Sequence, residues 1–500
     1  MKWATITTAL LPLASASGFT RQQYASGEVM ELMMNGKESA WAKQRAAGNF
    51  DSARWSGFEQ KRADKSVIKC KHGRVEAVKN DPDQTYRCNN IDLYDFKTHA
   101  ELGDPIGDGS GSWGWTHRGR EFIAIGQTYG ASFSEVTKEG KLEYLGRLPA
   151  QNDSVIWREI KVLGDSLIVG SEGIGHHVQI FDLKKLLKLS PKKPYTFDKV
   201  KDVALVDINQ GIKGRTHTVV ANEEKNYAVA CGAGGRPGRN DTCAGGPMFI
   251  NMENPAKPYV EGCFSGDGYV HDSQCIVYRG PHKKYYGRDI CFLYAEDTLT
   301  IIDATNKKGF GTAGKMISRT PYVGASYTHQ GWVIDPYWQT HIVMDDELDE
   351  GQIDPNRTAV DSPAKDGFAV TYIVDIQNLE KPFVSGLYKT TVRSVDHNQY
   401  VYDGLSYQSN YQAGLRILDV SSIPKYPDGS KIKEIAYFDV YPGDDAKPGG
   451  GDALWDAGTW SAYTFDSGYV VINTIDRGVF VVKQADVKGR KKGKGQFWKD

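Results

Sequence analysis

A short strand ending in an acidic residue recurs through most of this 500-residue chain. It reads Val-Gln-Ile-Phe-Asp at 178–182, and similar strands end at Asp303, Asp375 and Asp419. Weaker copies occupy 248–251 and 479–482. Self-similarity over several tens of residues indicates a repeat architecture, in which each repeat is one supersecondary unit. The chain is therefore not expected to divide into conventional domains of about 150 residues.

A second recurring strand, opened by an aromatic residue or a histidine, precedes the first within each repeat. The openings lie about 44 to 68 residues apart, which leaves room for four strands and their connections. Four-stranded units repeated radially form a propeller, whereas β-helix repeats are much shorter. The sequence predicts an all-β, seven-bladed β-propeller over residues 86–483. The seven opening residues are Trp113, Trp157, His217, His271, His329, His397 and Trp460.

Three further segments complete the predicted organisation. Residues 1–16 have the pattern of a signal peptide: Lys2, an apolar stretch over 4–13 and a small-residue cleavage pattern at 14–16. Residues 17–85 form an N-terminal extension, and 484–500 a basic polar tail. The last repeat lacks a fourth strand, which would leave an unpaired edge. We expect a strand between Cys88 and His99 to pair beside Val479 to Val482 and close the ring.

Within the extension, residues 28–48 are predicted to form an amphipathic helix packed on the propeller. Its apolar face is expected to contain Val29, Leu32, Met33, Ala40 and Ala47.

Several features indicate a secreted monomer. Basic and acidic residues balance at 61 and 62, so no overall field attracts nucleic acid. No apolar run reaches the roughly 18 residues of a membrane span. Glycosylation triplets begin at Asn152, Asn240 and Asn356, as in an exported glycoprotein.

Seven cysteines in an exported chain indicate disulfides, with one residue left over. The strand layout predicts Cys70–Cys88, Cys243–Cys263 and Cys275–Cys291, with Cys231 unpaired. A Cys231–Cys243 bridge is the main alternative.

Several longer runs resemble the secreted LVIVD-repeat proteins of the choice-of-anchor B family. The resemblance covers roughly residues 86–483 and implies a secreted or surface-attached propeller without a settled activity. Because no hydrophobic anchor follows the repeats, this member is expected to be freely secreted. The runs include Ser112-Trp-Gly-Trp-Thr, Ile156-Trp-Arg-Glu-Ile-Lys, Gly262-Cys-Phe-Ser-Gly-Asp-Gly-Tyr-Val-His-Asp-Ser-Gln-Cys, Glu296-Asp-Thr-Leu-Thr-Ile, Thr328-His-Gln-Gly-Trp, Asp345-Asp-Glu-Leu-Asp-Glu, Asp396-His-Asn-Gln-Tyr and Tyr437-Phe-Asp-Val-Tyr-Pro.

The opening residues should form a ring at one mouth of the central channel, because the innermost strands all start at the same face. Trp460, Trp113 and Trp157 would form an aromatic arc, and His217, His271, His329 and His397 an imidazole arc. Such residues could simply fill the narrow mouth. However, four histidines in register also predict a divalent-metal site, with Asp345 and Asp346 as further ligands.

Two functional hypotheses follow. The first is a binding protein that holds a glycan or other extracellular ligand, a divalent metal, or both at the mouth. Asp272, Gln330 and Asn398 would orient the imidazoles or contact the ligand. Indole faces stack on sugars, and Arg158 could pair with a uronate. The second hypothesis is an extracellular metal-assisted lyase or hydrolase of carbohydrate. No recognisable nucleophile or acid–base spacing favours the enzyme.

Overall fold

The computed structural model describes residues 18–104, 108–151, 154–208, 214–233, 242–350 and 362–485. The chain begins with an N-terminal extension, whose elements precede the first complete blade. They are helices α1 Arg21–Ala25, α2 Glu28–Ala46 and α3 Phe58–Lys61, then strands β1 Arg74–Glu76, β2 Thr85–Asn89 and β3 Ile91–Thr98.

The rest of the described chain forms seven mainly antiparallel sheets arranged around a channel, which confirms the seven-bladed β-propeller. The first-named strand of each blade is innermost, and the innermost strands of neighbouring blades contact one another around most of the ring. Blade 1 contains β4 Gly109–His117, β5 Arg120–Gln127, β6 Gly130–Val136 and β7 Leu142–Pro149; blade 2, β8 Arg158–Leu163, β9 Ser166–Ser171, β10 Val178–Asp182 and, after the short β11 Tyr195–Thr196 beside β7, β12 Val203–Val206; blade 3, β13 Thr218–Asn222, β14 Tyr227–Cys231, β15 Met248–Asn251 and β16 Tyr259–Cys263; blade 4, β17 Asp272–Val277, β18 Asp289–Tyr294, β19 Leu299–Asp303 and β20 Lys315–Thr320; blade 5, β21 Thr328–Val333, β22 His341–Asp346, β23 Phe368–Asp375 and β24 Phe383–Arg393; blade 6, β25 Gln399–Tyr402, β26 Leu405–Ser409, β27 Leu415–Asp419 and β28 Lys433–Phe438; blade 7, β29 Thr459–Thr464, β30 Tyr469–Thr474 and β31 Gly478–Gln484.

Middle strands are buried on both faces, because a neighbouring blade covers each side. Strand β9 shows the effect: its sequence Ser-Leu-Ile-Val-Gly-Ser is buried at every position. Outer strands alternate or are partly exposed, as in β20 and β28. This is why the recurring apolar strand was a strong sequence signal for the middle of each blade.

The ring closes between its two ends, as predicted. Strand β3, from before the first blade, pairs antiparallel with β31 as the fourth strand of blade 7. Phe96 lies opposite Phe480 in this ladder, and their ring centroids are 4.5 Å apart. Strands β2 and β1 continue outward from β28, so the extension also widens blade 6.

All three predicted disulfides are present: Cys70–Cys88, Cys243–Cys263 and Cys275–Cys291. Cys231 is a buried free thiol, so the alternative pairing with Cys243 is wrong. The disulfides fit an extracellular protein.

The predicted helix over 28–48 is confirmed as α2, but its buried face differs from the expected one. Val29 and Met33 are buried, whereas Leu32 and Ala47 are exposed. The side chains that α2 buries are Val29, Met30, Met33, Lys37 and Trp41. A lysine therefore occupies the face that periodicity assigned to apolar residues.

Some predictions fall outside the described residues: the signal peptide, the basic tail from 486 onward, and the asparagines at 152, 240 and 356. Within the part of the chain that the structure describes, no helix is long and apolar enough to cross a membrane.

Candidate functional site

Four histidines from consecutive blades lie side by side at one mouth of the channel. His217, His271, His329 and His397 stand at or just before the innermost strands of blades 3 to 6. Neighbouring imidazole centroids are 4.3, 4.4 and 4.5 Å apart around this arc. All four side chains are buried, with at most 9% of their surface exposed. The predicted imidazole arc is therefore present as a closely packed row.

Carboxylates hold two of these rings through Nδ1. Nδ1 of His217 lies 3.0 Å from Oε1 of Glu172, and Nδ1 of His329 lies 3.3 Å from Oδ1 of Asp345. A carboxylate accepts and cannot donate, so each Nδ1 carries the hydrogen. In the neutral imidazole the lone pair then lies on Nε2, which is the arrangement of metal-bound histidines.

Neutral groups hold the other two rings in the same way. Nδ1 of His397 donates to the carbonyl oxygen of Trp460 at 2.7 Å. Nδ1 of His271 lies 2.9 Å from the hydroxyl of Tyr327, and its Nε2 has no hydrogen-bond partner although it is buried. Burying a polar nitrogen without a partner costs free energy, so this atom is a candidate ligand.

Glu347 completes the group. Its Oε2 is 3.8 Å from Nε2 of His329, and its Oε1 is 3.7 Å from Nε2 of His397. One ligand atom from each of these three residues lies within 4.8 Å of the other two. Oε1 also accepts hydrogen bonds from Nζ of Lys37, at 2.6 Å, and from the hydroxyl of Tyr411.

The electrostatic environment separates the protonation states of these groups. Burial lowers the pKa of His271 and His397 well below the usual range, so both imidazoles are neutral at pH 7. Burial raises the pKa of Glu347, but the charges of Lys37 and His329 outweigh it and bring this pKa to about 2. Burial lowers the pKa of His329, but the charges of Glu347 and Asp345 outweigh it and raise this pKa above its usual value. His329 must therefore lose its proton before it can bind a metal, whereas His271 and His397 are already neutral.

A small cavity of about 10 Å³ adjoins the row of histidines, which is room for roughly one water-sized occupant. It is far smaller than a typical small-molecule site. Its lining residues are Trp157, Arg158, Glu159, His217, Thr218, His271, His329, His397, Asn398 and Trp460.

Helix α2 packs against this mouth. The indole of Trp41 lies 5.0 Å from that of Trp157 and 6.1 Å from that of Trp460, between ring centroids. Its Nε1 donates to the carbonyl oxygen of Trp455 at 3.1 Å. Trp157 and Trp460, predicted as an aromatic arc for a ligand, therefore pack against the protein's own helix, each tilted by about 45° to the Trp41 ring.

The two predicted aspartate ligands have different surroundings. Asp345 accepts hydrogen bonds from the backbone of Gln330 at 2.8 Å and from Gln399 at 3.0 Å, besides holding His329. Asp346 accepts from three backbone N–H groups, those of Ser326, Tyr327 and Leu348. Asp345 thus orients a ligand, and Asp346 fixes the loop.

The three predicted polar neighbours of the histidines are all buried in the channel. Asn398 donates to the carbonyl oxygen of Trp460 at 3.0 Å, and the side-chain oxygen of Gln330 accepts from the backbone of Gln399. Burial raises the pKa of Asp272 to about 7. Asn398 also lines the cavity and is the best placed of the three to contact a ligand.

Trp113 and Arg158 differ from the prediction. The Trp113 ring packs 5.0 Å from Tyr400 and under Nζ of Lys161, and it does not line the cavity. Two residues earlier, a Cβ at Gly111 would lie 2.7 Å from the Arg158 carbonyl oxygen, so blade 1 approaches blade 2 too closely for a side chain there.

The Arg158 guanidinium contacts other groups of the protein itself. It donates to the carbonyl oxygen of Gln127 at 3.1 Å and contacts Nε2 of His176 at 2.8 Å. Arg158 is buried, so its guanidinium N–H groups are not available to pair with a uronate carboxylate.

Sequence reasoning missed the roles of Lys37, Tyr327 and Tyr411, and it did not single out Glu347 as a ligand. Glu347 directly follows the two aspartates chosen as ligands, so its position was a usable signal. Lys37 gave none, because only the fold reveals that its helix covers the mouth.

The fold and the site together define a seven-bladed β-propeller with a capped, histidine-lined channel mouth. No family model matches the chain, and no curated protein matches it either. Membership of the choice-of-anchor B family therefore stays a prediction.

Among solved structures, the chain is similar to the computationally designed Ika8 protein, with 9% identity, a TM-score of 0.40, and coverage of 76% of this chain and 84% of that one. It is also similar to YCF48 bound to D1 peptide, with 10% identity, a TM-score of 0.45, and coverage of 80% and 98%.

Proposed function

We propose that this protein binds a divalent transition-metal ion at the capped channel mouth. His329, His397 and Glu347 are the primary ligands, and His271 lies beside them. The observation that carries the proposal is the convergence of these three ligand atoms within 4.8 Å in a buried setting.

The surroundings of the ligands support the proposal. Each imidazole of the row is held through Nδ1, which is how proteins fix the tautomer that coordinates through Nε2. Two imidazoles and a carboxylate match the ligand number of catalytic zinc sites. Imidazole donors favour zinc, copper, nickel or iron over calcium and magnesium, which prefer oxygen.

We do not extend the function to glycan binding or to carbohydrate chemistry. Trp157 and Trp460 pack against Trp41, and the cavity is too small for a sugar ring. Both alternatives would require α2 to move. We do propose that the protein works outside the cell, as a member of the LVIVD-repeat proteins; the three disulfides support the location.

The test is a zinc titration of the chelator-treated protein by calorimetry, beside elemental analysis of the protein as purified. We expect one equivalent of metal in the parent and none in the His271→Ala/His329→Ala double variant. His341→Ala is the matched control, since His341 is also buried but lies at the far end of β22 from the mouth. Equal metal content in all three proteins, or none in the parent under any transition metal, contradicts the proposal.

A further inference from the structure

We propose that Lys37 is a tethered competitor of the metal, so that the N-terminal helix α2 regulates the site. This inference rests on the proposed metal function. With α2 docked, the Lys37 ammonium neutralises Glu347; when the metal binds, Lys37 must leave that carboxylate.

The position of Lys37 is unusual for a lysine. It is 5% exposed, although lysines are almost never fully buried without a partner. Its Nζ donates to Oε1 of Glu347 at 2.6 Å and contacts the hydroxyl of Tyr411 at 3.0 Å. Removing an ammonium from water costs free energy, so the burial of Lys37 stabilises the docked helix only because the Glu347 carboxylate lies opposite.

Lys37 and a metal ion need the same carboxylate. Oε1 of Glu347, which accepts from Lys37, is also the oxygen nearest Nε2 of His397 at 3.7 Å. A divalent cation among these atoms would therefore lie within a few ångströms of the ammonium. Two cations so close repel strongly in a buried site, where screening by water is weak. Docked Lys37 and bound metal therefore exclude each other.

Helix α2 is a discrete element suited to this exchange. It is preceded by Gly27 and followed at Gly48, both with positive φ near 75°, a conformation that favours glycine. Ion pairs near both of its ends link it to the propeller: Arg215 reaches Glu31 at 2.7 Å, and Arg45 reaches the buried Asp108 at 3.1 Å.

The experiment compares zinc binding by calorimetry in the full chain and in three variants. Lys37→Met removes the competing charge and should tighten zinc binding by at least about tenfold, equivalent to roughly 1.4 kcal/mol. Lys37→Arg keeps the charge and should bind like the parent or more weakly. Lys43→Met is the matched control, because Lys43 is exposed on the same helix.

A second measurement follows α2 directly. Without metal, Lys37→Met leaves the charge of Glu347 buried and uncompensated, so the melting temperature of this variant should be below that of the parent. Zinc should then raise the melting temperature of the variant by more than it raises that of the parent. In the parent, zinc should increase hydrogen exchange along α2, because the helix is released.

The outcomes separate the two proposals. If the parent binds zinc but Lys37→Met binds no more tightly, or if exchange along α2 is unchanged by zinc, the competition is wrong and the metal site stands. If no variant binds any transition metal, the site itself is wrong.

Discussion

At the scale of single residues, neighbouring side chains of one type have different roles because their partners differ. Asp345 and Asp346 are adjacent at the end of β22, and both are buried. One faces the imidazole of His329, and the other turns toward backbone N–H groups of the preceding loop. No sequence pattern distinguishes them, because alternation only states that they point to opposite sides.

We predict opposite phenotypes for this pair. Asp345→Asn should weaken metal binding about 10- to 100-fold, because the charged group that holds Nδ1 of His329 is lost. Asp346→Asn should destabilise the fold by about 1 to 3 kcal/mol, because its new amide N–H groups face N–H donors, with metal affinity nearly unchanged. Calorimetric titration and urea unfolding measure the two effects. Equal loss of metal affinity in both variants would contradict the assignment.

A second residue-scale prediction concerns pH. Burial raises the pKa of Asp95 to about 6, and its Oδ1 has no hydrogen-bond partner. Because this pKa is higher in the folded than in the unfolded chain, the folded state binds the proton more tightly. The contribution of Asp95 to stability therefore falls as pH rises from about 4 through 6.

Asp95→Asn should remove this loss, because the amide oxygen can still accept from the backbone of Leu142, which now donates to Oδ2 at 2.8 Å. Relative to the parent, the free energy of unfolding of the variant should rise by up to about 3 kcal/mol between pH 4 and 8, at roughly 1.4 kcal/mol per pKa unit. Thermal unfolding at several pH values gives the difference. A difference that does not change with pH would refute the assigned cause.

At the scale of elements, the strands were predictable and the docking of the helix was not. Neighbouring blades bury the recurring strand on both faces, so most of its residues are apolar. This local pattern can be recognised in the sequence. The buried face of α2 depends on which groups it meets. Lys37 is buried because Glu347, some 300 residues away in sequence, lies opposite, and periodicity counts such a lysine as an interruption.

The closing strand β3 offers a test of packing at this scale. Phe96 is buried against Phe480 and Phe58, so Phe96→Ala should lower the free energy of unfolding by about 3 to 5 kcal/mol. Phe383→Ala, at a site 55% exposed, should cost less than about 0.5 kcal/mol. Urea unfolding curves compare the two. Similar small costs would mean that β3 does not carry the closure of the ring.

At the scale of the whole molecule, the number of blades, the closure and the disulfides followed from the sequence, because counting and chain order determine them. The ring of opening residues followed only in part. The histidines are in register, but Trp113 lies in the middle of β4 rather than at its start, and it does not line the cavity.

The cysteines allow a test of the assembled molecule by mass spectrometry after alkylation. We expect no modification of the native protein, because the free thiol of Cys231 is buried and burial raises its pKa to about 12. One modification should appear in denaturant, and seven after denaturation with reduction. Any alkylation of the native protein, or three modifications in denaturant alone, would contradict the pairing.

The closure between β3 and β31 also determines when the molecule can be complete. During synthesis β3 is made before every blade, and its partner β31 only after six blades and most of the seventh. Until then β3 has an open edge, and so does the growing ring. Long-range pairing of this kind is slow, since a large loop must close before the contact forms. A chain stopped anywhere before β31 thus lacks the partner that closes the circle, and completion is a single, late event.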